Sequence, residues 1–198
     1  MPATRSSSLV CALPLHVQFE TIHPFLDGNG RIGRLLVTLY LCVNGVLRKP
    51  LLYLSLYLKT HRADHYRLLQ EVREHGAWEA WLDFFHTGVA DTANQAFDAA
   101  TRIVELFKQD RERIAVDSDR AGSVLRIHDL FQQTPYLMAN QLVRQTGLSA
   151  PTVNAALADL ERFGIVEEVT GRKRGRVFSY RGYLAILSEG TDPLPAAV

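Results

Sequence analysis

The run HPFLDGNGRIGR, His23 to Arg34, holds an imidazole, a carboxylate, a glycine-rich turn and two guanidinium groups. If the apolar run after it is helical, Gly28, Asn29 and Gly30 lie at that helix's N-terminus. Unpaired backbone N–H groups and the helix dipole attract phosphate oxygens there, and glycine lets them come close. Asn29 adds an amide donor. Asp27, one residue before the turn, suits a Mg²⁺ that bridges phosphate oxygens, a hard cation on oxygen ligands. Arg31 and Arg34 are three apart, so they share a helix face and can fork onto phosphates. Two cations at the positive end of a helix are unfavourable, and an anion between them removes the conflict. His23 belongs to the residue type that changes charge near neutral pH, which suits it to take a proton from a hydroxyl. Pro24 fixes the chain's exit from the preceding segment, and Phe25 is expected to anchor the loop in the core. Each feature alone has an ordinary reading as a helix end, a turn or a solvated face. Together they suit one ligand, a nucleoside triphosphate.

The elements around the motif read as helices. Residues from about Ser8 to Ile22 form one, with Val17, Phe19 and Ile22 apolar, Gln18 and Glu20 exposed, and Pro14 at its first turn or a kink. From Arg31, IGRLLVTLYLCVNG is apolar on nearly all sides, as in a central helix buried by its neighbours, and Asn44-Gly45 ends it. Pro50 opens a short helix, PLLYLSLYLKT, for which an alternating strand is the rival reading. HRADHYRLLQEVREHG is a helix with Tyr66, Leu68, Leu69 and Val72 inward, stopped by Gly76. A very long helical pattern starts at Trp78 and reaches the charged stretch KQDRERI, with an aromatic packing stripe at Trp78, Trp81, Phe84 and Phe85. Apolar content then falls between about Val116 and Ser123, which marks a domain boundary.

Beyond the boundary, SVLRIHDLFQQ, a helix containing Asn140 to Gln145, and a third helix capped by Ser149 precede the strands IVEEV and VFSY. Three helices and a two-stranded hairpin read as a winged helix-turn-helix. Arg172, Lys173, Arg174 and Arg176 at the wing suit phosphates of duplex DNA, and Thr152 and Asn154, beside Pro151 at the start of the third helix, stand where base-reading residues would sit. Asp159, Glu161, Glu167 and Glu168 in the same region suit the rival reading, a protein-interaction or dimerisation module. The tail SEGTDPLPAAV is expected to be poorly ordered.

Bulk properties agree with a globular chain. It has 198 residues, 47% hydrophobic and 22% charged, and a net charge of +1, so any nucleic-acid contact must come from a local patch. Cys11 and Cys42 lack metal-ligand spacing and read as buried, reduced thiols of a cytoplasmic protein. No apolar run is long enough to span a membrane. The start, MPATRSSSLVCALPL, is too short and too interrupted by Pro14 for a signal peptide.

The motif resembles the signature of the Fic (Fic/Doc) family, HPFx(D/E)GNGRxxR, and every position matches. QFETIHPF before it and PLLYLSLYLKTHRADHYRLLQEVREHGAWEAWLDFF after it extend the likeness. The resemblance implies a mainly α fold, a Fic-type helical core at 8–116, a linker at 117–122, a small α+β winged-helix domain at 123–187 and a flexible tail at 188–198. It implies transfer of AMP from ATP to a Ser, Thr or Tyr hydroxyl of a target protein. His23 would then be the general base and Asp27 the Mg²⁺ ligand. Gly28, Asn29 and Gly30 would form the anion cradle, with Arg31 and Arg34 on the triphosphate. An aromatic near Tyr66 helps bind adenine in similar proteins, although a core tyrosine suits the position equally. The Doc branch, which phosphorylates, carries lysine where this chain has Gly30. The chain departs from the family before the motif, where no β-hairpin flap and no inhibitory (S/T)xxxE(G/N) helix can be placed. Missing supporting helices would leave the central helix partly exposed and favour a homodimer. The alternative is a catalytically silent nucleotide-binding or DNA-binding regulator.

Overall fold

The computed structural model describes residues 5–47, 54–172 and 175–189, without the side chains of 5–11 and 13. It is mainly helical, and the contacts of the described residues divide it into two compact units on either side of 97/98. The division falls inside one helix. Residues 117–122, expected as a linker, contain a break between two helices.

The first unit contains α1 (Arg5–Ile22), α2 (Asn29–Val43), α3 (Leu54–Thr60), α4 (Arg62–His75) and the first half of α5 (Trp78–Asp117). Pro14 lies inside α1. Pro50, expected to open α3, lies outside the described residues, and the rival strand is replaced by helix from Leu54. Gly76 closes α4 in the left-handed conformation expected of a C-terminal glycine, φ 67°. Val37, Leu41, Leu58, Leu69, Trp81 and Phe85 pack in the core.

Three readings change. On α4 the inward face is His65, Leu68, Leu69 and Val72, a spacing of three, four and seven, while Tyr66 is half exposed with the Arg62 guanidinium 5.4 Å above its ring. That excludes the core-tyrosine reading. On α2, Gly33, Val37, Thr38 and Leu41 are buried, but Ile32, Leu35, Leu39 and Val43 remain exposed. Their spacing makes them one uncovered stripe rather than part of a helix buried all round. Glu20, expected in solvent, is only 7% exposed.

Beneath the motif lies a buried aromatic stack. His16 and His65 meet Nε2 to Nε2 at 3.2 Å; the His16 ring stacks on Trp81 at a centroid distance of 5.9 Å, and the His65 ring lies tilted against it at 5.6 Å. Burial, with Arg34 nearby, pushes His16 down to about 4 and His65 to about 3, so both are neutral at physiological pH.

The second unit holds the rest of α5, then α6 (Ala121–Gln133), β1 (Tyr136–Met138), α7 (Ala139–Thr146), α8 (Ala150–Arg162), β2 (Val166–Glu168), β3 (Val177–Tyr180) and α9 (Arg181–Ser188). Its sheet has three strands, order β1-β3-β2, all antiparallel, with Leu137 opposite Phe178 and Val166 opposite Tyr180. The expected hairpin thus gains a strand. Ser149 caps α8 by accepting from the Thr152 backbone N–H at 3.3 Å. The Tyr180 hydroxyl donates to Asp110 at 2.6 Å, and His128 Nε2 lies 3.1 Å from the same hydroxyl, which fixes β3 to α5 and α6 through buried polar groups. In the tail, Glu189 is held by Arg102, while 190–198 lie outside the described residues. Among the described residues, no helix is long and apolar enough to cross a membrane.

Candidate nucleotide site

The motif is the link between α1 and α2. His23 ends α1, its N–H donating to the Phe19 carbonyl at 3.0 Å, and it takes the left-handed conformation at φ 50°. A non-glycine residue there costs roughly 1–2 kcal/mol, and Pro24 prevents any further helical turn. The side chain of His23 is exposed. Strain of this kind concentrates where geometry serves a site.

Asn29 closes the link. Its buried amide accepts from the Phe25 N–H at 2.9 Å and donates to the Phe25 carbonyl, so the side chain braces the loop. Phe25 itself is 50% exposed and touches Phe19, so the anchoring expected of its ring falls to Asn29 instead. What Asn29 offers a ligand is therefore its backbone N–H at the first position of α2.

Gly28 is the N-cap of α2, with φ 84°, and no side chain caps the helix. The first-turn amides of Asn29 and Gly30 are thereby left to an outside acceptor. Asp27 accepts from the Gly28 N–H at 2.6 Å and pairs with Arg31 at 3.2 Å, both side chains largely in solvent, an ion pair of small energetic value. Arg34 is half-buried, and its Nε has no hydrogen-bond partner. A Cβ built at Gly30 would lie 3.1 Å from Arg34 Nη1.

The turn thus gathers Asp27, Gly28, Gly30, Arg31 and Arg34 beside His23. A lone, exposed Asp27 fits a Mg²⁺ that arrives with a triphosphate and takes most of its ligands from phosphate and water. Among the described residues, no group of three or more His, Cys, Asp or Glu could hold a metal by itself. Tyr66 stands on α4 in the same unit, its ring half exposed.

The residue that the sequence concealed is Glu20. Burial pushes its carboxyl up, against the opposing pull of Arg34, then His23 and Arg73. It reaches the bare backbone of α2, for a Cβ at Gly33 would stand 2.6 Å from Glu20 Oε1 and 3.1 Å from the Phe19 ring. Gly33 therefore sets the closest approach of α1 to α2. Gly33→Val is expected to lower stability by about 1–3 kcal/mol through overpacking. Urea denaturation measures it, and an unchanged midpoint would contradict the close contact.

The other candidate ligand residues lie in the second unit. Asn154 accepts from Arg176 Nη2 at 2.9 Å, and Arg176 also lies over the Phe178 ring. Thr152 is engaged with Ser149 in the α8 cap. Arg172 is exposed, while Lys173 and Arg174 lie outside the described residues.

Residues 5–41 match the Fic/DOC family. A probable protein adenylyltransferase of Aquifex aeolicus (strain VF5) is 59% identical over 32 residues, 16% of this chain and 10% of that protein. A Fido domain-containing protein of Dictyostelium discoideum is 52% identical over 40 residues, 20% of this chain and 28% of that protein. The matches thus span less than a third of either relative. The segment that carries the site, α1 through most of α2, is similar to the Fic/DOC family.

Proposed function

We propose that the first unit binds ATP at the α2 N-terminus and transfers AMP to a Ser, Thr or Tyr hydroxyl of a target protein. The observation that carries this reading is the uncapped start of α2, with Gly28, Gly30, Arg31 and Arg34 around it and His23 at the adjacent end of α1. The likeness to a probable protein adenylyltransferase of Aquifex supports the same reaction class.

His23 accepts the proton of the target hydroxyl as its oxygen bonds to the α-phosphorus, and the bond from that phosphorus to the bridging oxygen breaks to release pyrophosphate. The first-turn amides and the two arginines offset the charge on the phosphate oxygens. Asp27 would hold Mg²⁺, which when bound supplies further positive charge to the triphosphate. Tyr66 would stack on the adenine. Gly30, in place of the lysine of the phosphorylating branch, favours nucleotidyl over phosphoryl transfer.

ATP labelled at the α-phosphate distinguishes these reactions from ATP labelled at the γ-phosphate. Incubation with Mg²⁺ is expected to leave only the α-label on protein. Protein carrying the γ-label instead would contradict the assignment.

A second reading concerns the other unit. The Arg176–Asn154 hydrogen bond brings the hairpin and the start of α8 together. That suits a winged helix in which both contact duplex DNA, in a regulator whose nucleotide site is silent. DNA binding that weakens steeply with salt and with Arg172→Ala and Arg176→Ala would support it, and binding indifferent to both would oppose it.

A further inference from the structure

The buried carboxylate of Glu20 has no place in the chemistry above, yet it lies directly behind the residues that carry it. Two glycines three apart, Gly30 and Gly33, strip one face of α2 of side chains, and Glu20 Oε1 fills the gap. The same oxygen would be 3.9 Å from a Cβ at Gly30, and Arg34 Nη1 would be 3.1 Å from it. The acid from α1 and the base from α2 therefore converge on the cradle glycine. Glu20 Oε1 and Arg34 Nε are both buried, and neither has a hydrogen-bond partner.

A carboxylate this far from water is costly unless an opposite charge faces it. Arg34 offsets that cost most strongly, ahead of Arg73. Arg73 is committed elsewhere, donating through Nη2 to the Glu20 carbonyl at 2.9 Å and through Nε to the Thr21 hydroxyl at 3.1 Å. Those bonds fix the end of α1, and with it the point from which the Glu20 side chain departs.

We propose that Glu20 is the positioning residue of the site, its buried carboxylate holding the Arg34 guanidinium against Gly30 so that the guanidinium faces an oxyanion at the start of α2. The inference rests on the reading of that helix start as a polyphosphate site. Glu20 touches neither nucleotide nor target, and acts through Arg34.

A double-mutant cycle in the full chain tests it, with Mg·ATP binding as one readout and the NMR signal of the Arg34 Nε–H group, recorded without nucleotide, as the other. Glu20→Gln keeps the shape and removes the charge. It is expected to weaken Mg·ATP binding about tenfold in the wild-type background and by less than about twofold in Arg34→Ala. The Arg34 Nε–H signal is expected to be sharp in the wild type and broadened in Glu20→Gln. Equal or tighter binding by Glu20→Gln, or an equal loss with and without Arg34, would overturn the proposal. If wild type and Arg34→Ala bind nucleotide alike, the polyphosphate reading fails. The Arg34 signal then decides the role of Glu20 by itself, and an unchanged signal in Glu20→Gln overturns it. Should that variant not fold, Glu20→Asp keeps the charge. A retained Arg34 signal in it supports the proposal, and a lost one overturns it.

Discussion

Exchange of His23 for alanine is expected to lower AMP transfer by at least about a hundredfold, the lower end of what a positioned general base contributes. ATP affinity should change by less than about twofold, because the amides of Asn29 and Gly30 and the two arginines lie on α2 and His23 ends α1. The fold should tolerate the exchange. The His23 side chain is exposed, and alanine in the same left-handed conformation carries much the same strain as histidine. Transfer and binding measured on one preparation separate the two effects. Undiminished transfer would remove His23 from the chemistry, and a parallel loss of binding would make it a ligand residue instead.

A second large effect is expected on acidification. His16 and His65 are neutral in the fold, held down to about 4 and about 3 from 6.5. In the unfolded chain both take up protons as the pH falls below 6.5, while the folded chain does not. Stability is therefore complete above about pH 6.5 and declines as the pH falls toward the folded values. Each unit of difference is worth about 1.4 kcal/mol, so two such groups can remove a large part of a domain's stability of about 5–15 kcal/mol. The chain has two tryptophans, Trp78 and Trp81, both in the first unit, so tryptophan fluorescence follows that unit alone. Its urea midpoint should fall between about pH 7 and about pH 5. The fall should be shallower in His65→Gln, which cannot take up the proton. A midpoint independent of pH across that window would mean that the histidine pair is not buried as described.

The motif was legible because its grammar is local. Glycines before an apolar run mark a helix start, and the left-handed Gly28 is such a glycine. The same holds for Gly76 after α4 and for Ser149 before α8. Glu20 was illegible because its burial depends on α1 meeting the Gly30–Gly33 face of α2, and no pattern within α1 reports that face. Tyr66 and His65 exchanged roles for a related reason. Hydropathy favours tyrosine as the inward residue, whereas the helical spacing to Leu68, Leu69 and Val72 selects His65, which His16 and Trp81 then accommodate. The composition of α2 shows an apolar helix but not which side has a neighbour, so the Ile32, Leu35, Leu39 and Val43 stripe emerged only from the packing. In the second unit, the three residues of β1 are too few to display an alternation. The contact of His128 with Tyr180 joins positions 52 apart in sequence, beyond any local reading.

The central claim, that an oxyanion seats at the start of α2, is tested most directly by an amide NMR titration of the full chain with Mg·ATP. The backbone N–H signals of Gly28, Asn29, Gly30 and Arg31 are expected to move together and saturate at one affinity, with Arg34→Ala weakening that affinity. Signals that stay fixed at these four residues while others move, or that do not move at any nucleotide concentration, would contradict the account.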